Sequence, residues 1–199
     1  MNRLKCLLFM LFPVLICSCN QNNEEGYVIK GKIDNMPDGH IYLMERVNKV
    51  YYVNSETTVV NGEFTFEGSV VEPGPMFLAV EDSTRFFQFF IENKEMTIYG
   101  NKDVPQDIKI KGSKLNDLYL GYRRDLMSLE AKERVLYDEY SKHDVESEEK
   151  QLLEEKIAEV EKGYKNLVDS FVYENPESII SPNLILSQLY YYTLEELEA

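Results

Sequence analysis

Three cysteines, two histidines and 35 acidic residues are the side chains from which this 199-residue sequence would have to assemble catalysis or a metal site. The cysteines stand at Cys6, Cys17 and Cys19, so the chain beyond Cys19 holds no thiol. That stretch offers no disulfide, no Cys-x-x-Cys redox pair, no thiol nucleophile and no thiolate metal site. His40 falls on an expected strand and His143 in an acidic stretch between two expected helices, and two separated imidazoles are a poor start for a zinc site with several convergent ligands. Asp34, Asp38 and Asp82 lack the Asp-x-Asp-x-Asp-Gly frame of a calcium loop. Glycine-rich phosphate loops, a serine elbow and an HExxH helix are missing, and nothing among the carboxylates singles out a pair for glycoside hydrolysis. The chain therefore reads as having no catalytic residue, no metal ligand and no cofactor. Tyr42, Tyr51, Tyr52 and the run Tyr190-Tyr191-Tyr192 could stack on sugar rings or fill a protein interface. Tyr51 and Tyr52 point to opposite faces of a strand, and the three later tyrosines spread over about 200° on a helix, which favours packing over a stacking platform.

The formal charge of −14 argues against a nucleic-acid binder, which needs a concentrated basic surface, while 44% apolar and 12% aromatic residues are enough for a packed core. At the N-terminus, Arg3 and Lys5 precede an apolar run from Leu7 to Ile16 that ends in Ser18, Asn20, Gln21 and Asn22. This is the n-region and h-region of an export signal, and it is shorter than the roughly 20 apolar residues of a membrane-spanning helix. The following Ile16-Cys17-Ser18-Cys19 resembles the lipobox of bacterial lipoproteins, with a small residue directly before Cys19. Cys17 fits poorly, because bulky Ile16 would precede the cut. The resemblance implies cleavage after Ser18, a diacylglycerol on the sulfur of Cys19, and a membrane-anchored chain in the cell envelope, facing the periplasm or the cell surface. Residues 1–18 are then the signal peptide and 19–26 a tether, and losing Arg3 and Lys5 takes the formal charge from −14 to −16.

The anchored chain divides by hydrophobic period. Residues 27–112 alternate with period two in short β-branched and aromatic runs, the pattern of an antiparallel sandwich or barrel. Tyr27, Ile29 and Ile33 are expected inward, and Asn35-Met36-Pro37-Asp38-Gly39 turns the chain into a second strand from His40 to Glu45. Asn61-Gly62 between Thr57–Val60 and Glu63–Glu67 spells a type I′ hairpin. Further strands are expected at Met76–Val80, Arg85–Glu92, Glu95–Tyr99 and Asp107–Lys111, with turns at Asn93-Lys94 and Gly100-Asn101. The run Phe86, Phe87, Phe89, Phe90 and Ile91 predicts a central strand covered on both faces.

Residues 113–199 read as helical. Ser113 caps a helix with Leu115, Leu118, Tyr119, Tyr122, Leu126 and Leu129 on one stripe. A second helix from about Glu148 to Tyr173 carries an a/d seam of Leu153, Ile157, Val160, Tyr164, Leu167 and Phe171, and the two stripes are expected to close as a hairpin. Asn175-Pro176 stops it, Ser181-Pro182 restarts a short C-terminal helix, and Thr193-Leu194-Glu195-Glu196 spells another capping box shortly before Ala199. That unfinished start is read as a chain continuing into a downstream domain. The fold class is α+β: an antiparallel β-sandwich or barrel-like domain, an α-helical hairpin and a short C-terminal helix.

The order Val28-Ile29-Lys30-Gly31-Lys32-Ile33, Met36-Pro37-Asp38-Gly39-His40-Ile41-Tyr42-Leu43, Val60-Asn61-Gly62-Glu63-Phe64-Thr65-Phe66-Glu67-Gly68, Ile110-Lys111-Gly112-Ser113 and Asn175-Pro176-Glu177-Ser178 resembles one envelope family. It is similar to the N-terminal domain of unknown function in cell-envelope lipoproteins that usually continue into a thioredoxin-like thiol:disulfide interchange domain. The resemblance implies a lipid-anchored, non-catalytic accessory or interaction module, partnered by a thioredoxin-like domain or another protein. None of that family's catalytic dithiol can be placed on this sequence. A surface lipoprotein binding a glycan or a peptide stays open as the alternative, as does a homodimer through the helices.

Overall fold

A computed structural model describes residues 26–80, 85–143 and 147–195 of the chain. The lipobox with Cys19, Asp82 and the end of the Thr193 capping box lie outside the described residues. Eight strands come first: β1 (Tyr27–Asp34), β2 (Gly39–Val47), β3 (Val50–Val59), β4 (Glu63–Gly68), β5 (Gly74–Val80), β6 (Arg85–Ile91), β7 (Glu95–Asn101) and β8 (Lys109–Lys111). Three helices follow, α1 (Lys114–Tyr140), α2 (Glu148–Glu174) and α3 (Ile180–Ser187). The strands form two four-stranded sheets, ordered β4-β1-β7-β8 and β3-β2-β5-β6. The fold is α+β, as the sequence pattern predicts.

Period-two alternation builds the sandwich. In β1 the buried positions are Tyr27, Ile29, Gly31 and Ile33, while Lys30 and Lys32 face out. Their partners across the core include Ile41 and Leu43 of β2, Leu78 of β5 and Phe89 of β6, all with no exposed surface. Gly31 belongs to that inward face because it lies opposite Phe64, whose ring would sit 2.0 Å from a Cβ at this position. The missing side chain makes room for the aromatic one.

The pairing departs from the sequence-based expectation at three places. β1 and β7 are parallel, because the four strands that make the second sheet plus β4 intervene before the chain returns to β1 in its original direction. β7 also runs through Gly100 and Asn101, expected as a turn, since Lys102 N–H donates to Asp34 C=O at 3.0 Å and holds the strand against β1 to its end. The Asn61-Gly62 turn has the positive φ values of type I′, 53° and 76°, and is closed by the Val60 and Glu63 bridge. Its strands nevertheless part at once: β3 pairs with β2, and β4 pairs with β1. The turn is held by the other sheet, for Ile33 N–H donates to Gly62 C=O and Asp38 Oδ1 accepts from Asn61 N–H. The longer hairpin is β2–β3, turned by Asn48 and Lys49 at φ 50° and 68°, with a lysine at a positive-φ position that such turns usually give to glycine, so no Asn-Gly signal marks it in the sequence.

The helical expectations are met with local shifts. Ser113 caps α1, accepting from Asn116 N–H at 3.0 Å, and Ser147 caps α2 in the same way through Lys150 N–H. In α2 the buried positions are Leu153, Ile157, Tyr164, Val168 and Phe171, so four of the six predicted seam residues are buried, while Val160 and Leu167 are half-buried and Val168 takes the place of Leu167. A 3.6-residue helix drifts from a strict heptad by about 20° per repeat, which rotates the next residue into the contact. Leu118 of the predicted α1 stripe is 41% exposed. Ser181 is not a cap: α3 begins at Ile180, and Ser181 Oγ donates to Asn175 C=O at 2.6 Å, tying α3 to the end of α2. The molecule is thus layered sheet, sheet, helices, with a second core of Phe90, Tyr119, Tyr122, Val168, Phe171, Ile180 and Leu184 between β6 and the helices.

Candidate functional site

The predicted chemical residues do not converge. His40 on β2 meets Glu56 of β3, with Nδ1 2.6 Å from Oε1, on an exposed surface. His143, past the end of α1, lies 3.4 Å from Glu139 Oε1. Lys142 and His143 together hold the Glu139 carboxyl below its ordinary range, Lys142 contributing most. Among the described residues no three His, Cys, Asp or Glu side chains are grouped to hold a metal. Tyr51 is half-buried and Tyr52 is 56% exposed, as opposite strand faces require. Of the later tyrosines, Tyr190 is 75% exposed and Tyr192 donates to Asp169 Oδ1 at 2.8 Å. Tyr190 lies in a short 3-10 segment, Leu189–Tyr191, and Tyr192 follows it in extended backbone, so the two do not share a helical face.

What the fold brings together instead is a cleft of about 460 Å³ where the outer face of the second sheet meets the helices. The sheet contributes Arg46, Tyr51 and Phe77, and α1 contributes Tyr119, Tyr122 and Arg123. Leu184, Ser187 and Gln188 close it from α3 and its end. Among the described residues no aspartate or glutamate lines it, in a chain that carries 35 acidic residues. A second hollow of about 510 Å³ lies beside it, sharing Gln88 and Arg123 and adding Arg124 and Asp107.

Cation–π contacts place two arginines on Tyr51: Arg46 of the cleft wall and Arg85, which stands outside the lining. The Arg85 guanidinium lies 3.8 Å from the Tyr51 ring centre, and Arg46 lies 5.6 Å from it. Tyr51 in turn meets Phe77 edge-on at 5.1 Å. Every ion pair among the described residues is made by a lysine or a histidine, so Arg46, Arg85 and Arg123 have no carboxylate partner there. On the helix side, burial pushes the Tyr119 phenol up to about 12, and Arg123 pulls the other way. Tyr122 is raised for the same reason, again opposed by Arg123 and reinforced by Glu130. The Gln188 Oε1 atom is buried in the wall with no hydrogen-bond partner.

The cleft depends on the seating of α1 on β6. β6 is an edge strand, not the predicted central one, because it pairs with β5 alone. Its two faces are covered all the same, Phe89 and Ile91 by the sandwich and Phe90 by the helices. Asn116, fully buried, accepts from Phe90 N–H at 2.8 Å and donates to Phe90 C=O at 2.7 Å, imitating the two bonds of a neighbouring strand. Its other amide proton goes to Ser113 Oγ at 2.9 Å, and Ser113 donates to Glu92. Every polar atom of the Asn116 amide is thereby satisfied, as burial demands. Neither Asn116 nor the arginines carry a local sequence signal: the arginines stand at 46, 85 and 123, and only their scarcity, six in the whole chain, sets them apart.

No curated protein and no solved structure gives a significant match to this chain. Residues 27–119, from the first residue of β1 to Tyr119 on the cleft wall and so including both sheets, Ser113 and Asn116, match the family described as Domain of unknown function (DUF4369).

Proposed function

We propose that this chain is a lipid-anchored, non-catalytic binding module of the cell envelope, attached through Cys19 and presenting its β-sandwich and helices to a protein partner. The observation that carries this reading is the make-up of the cleft: guanidinium, aromatic, aliphatic and amide groups, which hold a ligand in place and suit a surface of opposite charge. The export leader and the lipobox-like Ile16-Cys17-Ser18-Cys19 support the anchor, and the order of motifs from Val28 to Ser178 supports a partner of the thioredoxin-like class. Among the described residues no helix is long and apolar enough to cross a membrane, so in this reading the acyl chains do the holding.

Two measurements on the expressed chain test it. Cys19→Ala should move the protein from the detergent-extractable membrane fraction to the soluble one, and unchanged retention would remove the anchor. The processed protein should leave the reduction of insulin disulfides by dithiothreitol at its uncatalysed rate. Accelerated reduction would overturn the non-catalytic reading.

A further inference from the structure

We propose that the cleft between the second sheet and α1 binds a peptide carboxylate flanked by apolar side chains, with Arg46 and Arg123 as its anion clamp. The inference rests on the binding-module reading and names the chemistry of its ligand. In a strongly acidic chain, chance would leave carboxylates around any basic group, yet none lines this cleft and its arginines have no ion-pair partner among the described residues. A cation–π contact leaves guanidinium N–H groups free, and Arg46, 5.6 Å from the Tyr51 ring centre, keeps its donors for a ligand in this way. The planar guanidinium forks of Arg46 and Arg123, both on the cleft wall, match the two oxygens of a carboxylate.

The second observation is Gln188 Oε1, a buried acceptor with no donor. A ligand that satisfies it must bring an N–H or O–H alongside its anionic group. A peptide does so with its backbone amide, while its apolar side chain lies against Leu184 and Tyr122. Saccharide acids offer a hydroxyl and a carboxylate as well, but they also need open aromatic faces to stack on. Here Phe90 and Tyr119 are already paired edge to face at 5.0 Å, Tyr122 with Phe171 at 5.6 Å, and Tyr51 lies beneath a guanidinium. The volume of about 460 Å³ suits two or three residues rather than a long strand.

The carboxylate could be a chain terminus or an acidic side chain, and the test separates the two. The full chain in detergent is titrated with three fluorescein-labelled tetrapeptides: Ala-Ala-Leu-Phe with a free C-terminus, the same peptide amidated, and amidated Ala-Glu-Leu-Phe. Digalacturonate serves as competitor. Binding of the free acid alone identifies a C-terminal carboxylate, and binding of the amidated glutamate peptide identifies a side chain; either supports the proposal when Arg46→Gln and Arg123→Gln each weaken it about tenfold. Gln188→Met should weaken the same peptide about threefold or more by removing the acceptor. Equal binding of the uncharged peptide, indifference to both arginine substitutions, no peptide binding at all, or digalacturonate binding in place of peptide would each overturn it. Such a failure with Cys19-dependent membrane retention intact discards the cleft ligand and leaves the anchored module standing.

Discussion

Tyr119 links the chemistry of one phenol to the stability of the whole chain. Burial raises its folded-state pKa from 10 to about 12, so the neutral form is favoured on folding. The contribution is fully present below pH 10 and is lost as pH rises from 10 to 12, because the unfolded chain ionises first. The loss should be about 2 to 3 kcal/mol from Tyr119, since a tenfold change in an ionisation equilibrium corresponds to about 1.4 kcal/mol, and Tyr122 adds in the same direction. Urea unfolding across that pH range measures it, and Tyr119→Phe should make the slope shallower, with Tyr122 among the groups that supply the remainder. Arg123 opposes the effect of burial, so Arg123→Gln should raise the phenol further, visible in the ultraviolet titration of the phenolate. Residue roles fixed by neighbours in sequence were legible: Ser113 reads as a cap from its position before an apolar stripe, and Asn61 as a turn from the glycine after it. Arg46, Arg85 and Arg123 were not, for no periodicity relates residues that only the completed fold makes adjacent.

At the scale of elements, α1 and β6 are joined by one amide. Asn116→Ala would strip both hydrogen bonds from Phe90 and leave its buried N–H and C=O without partners, at a cost of about 3 kcal/mol or more. Asn116→Asp restores only the acceptor, and the carboxylate would be buried beside Phe90 C=O. Desolvation would raise that carboxyl above its ordinary value, so the variant should be most stable at low pH, where the acid is neutral and can donate, and should lose stability as pH rises through the raised pKa. Chemical denaturation of the two variants at acid and neutral pH checks both statements, and an alanine variant as stable as the parent would sink the latch. Element types and most boundaries could be read from hydrophobic period, because a half-buried strand and a one-sided helix each impose their own repeat. Pairing could not. The type I′ turn at Asn61 predicts two adjacent strands, but the turn dipeptide says nothing about which sheet captures each arm. The phenylalanine run of β6 reads as central since sequence registers coverage of both faces, whereas edge or centre is decided by a hydrogen-bond partner.

Across the whole molecule, two cores share one strand. Phe89 and Ile91 belong to the sandwich and Phe90, between them, to the helical core. Unfolding should therefore be a single transition, with near-ultraviolet tyrosine dichroism and far-ultraviolet dichroism coinciding in urea. Cooperativity should weaken along the helices with distance from β6. The buried residues of α1 all lie in its first three turns, at Asn116, Tyr119 and Tyr122, and beyond them α1 has half-buried and exposed positions only. Hydrogen exchange should accordingly be faster in 130–140 and 148–156 than in 114–122 and 164–171, and uniform protection along both helices would refute this. Much of the layer arrangement was implicit in the change from period two to period 3.6 at Gly112-Ser113. The contact between the layers was not, because it runs through one asparagine in a stripe of leucines and tyrosines.

The Asn116 latch also bears on the chain's behaviour in crowded conditions. Arg-Phe-Phe-Gln-Phe-Phe-Ile, the sequence of β6, combines aromatic bulk with little charge and no proline, the make-up of a segment that stacks into cross-β fibrils when its backbone is bare. By occupying the outward N–H and C=O of Phe90 with a side chain and laying a helix alongside, the fold withholds that template from other copies. The amide that seats α1 thus also serves as the protein's guard against self-templated aggregation.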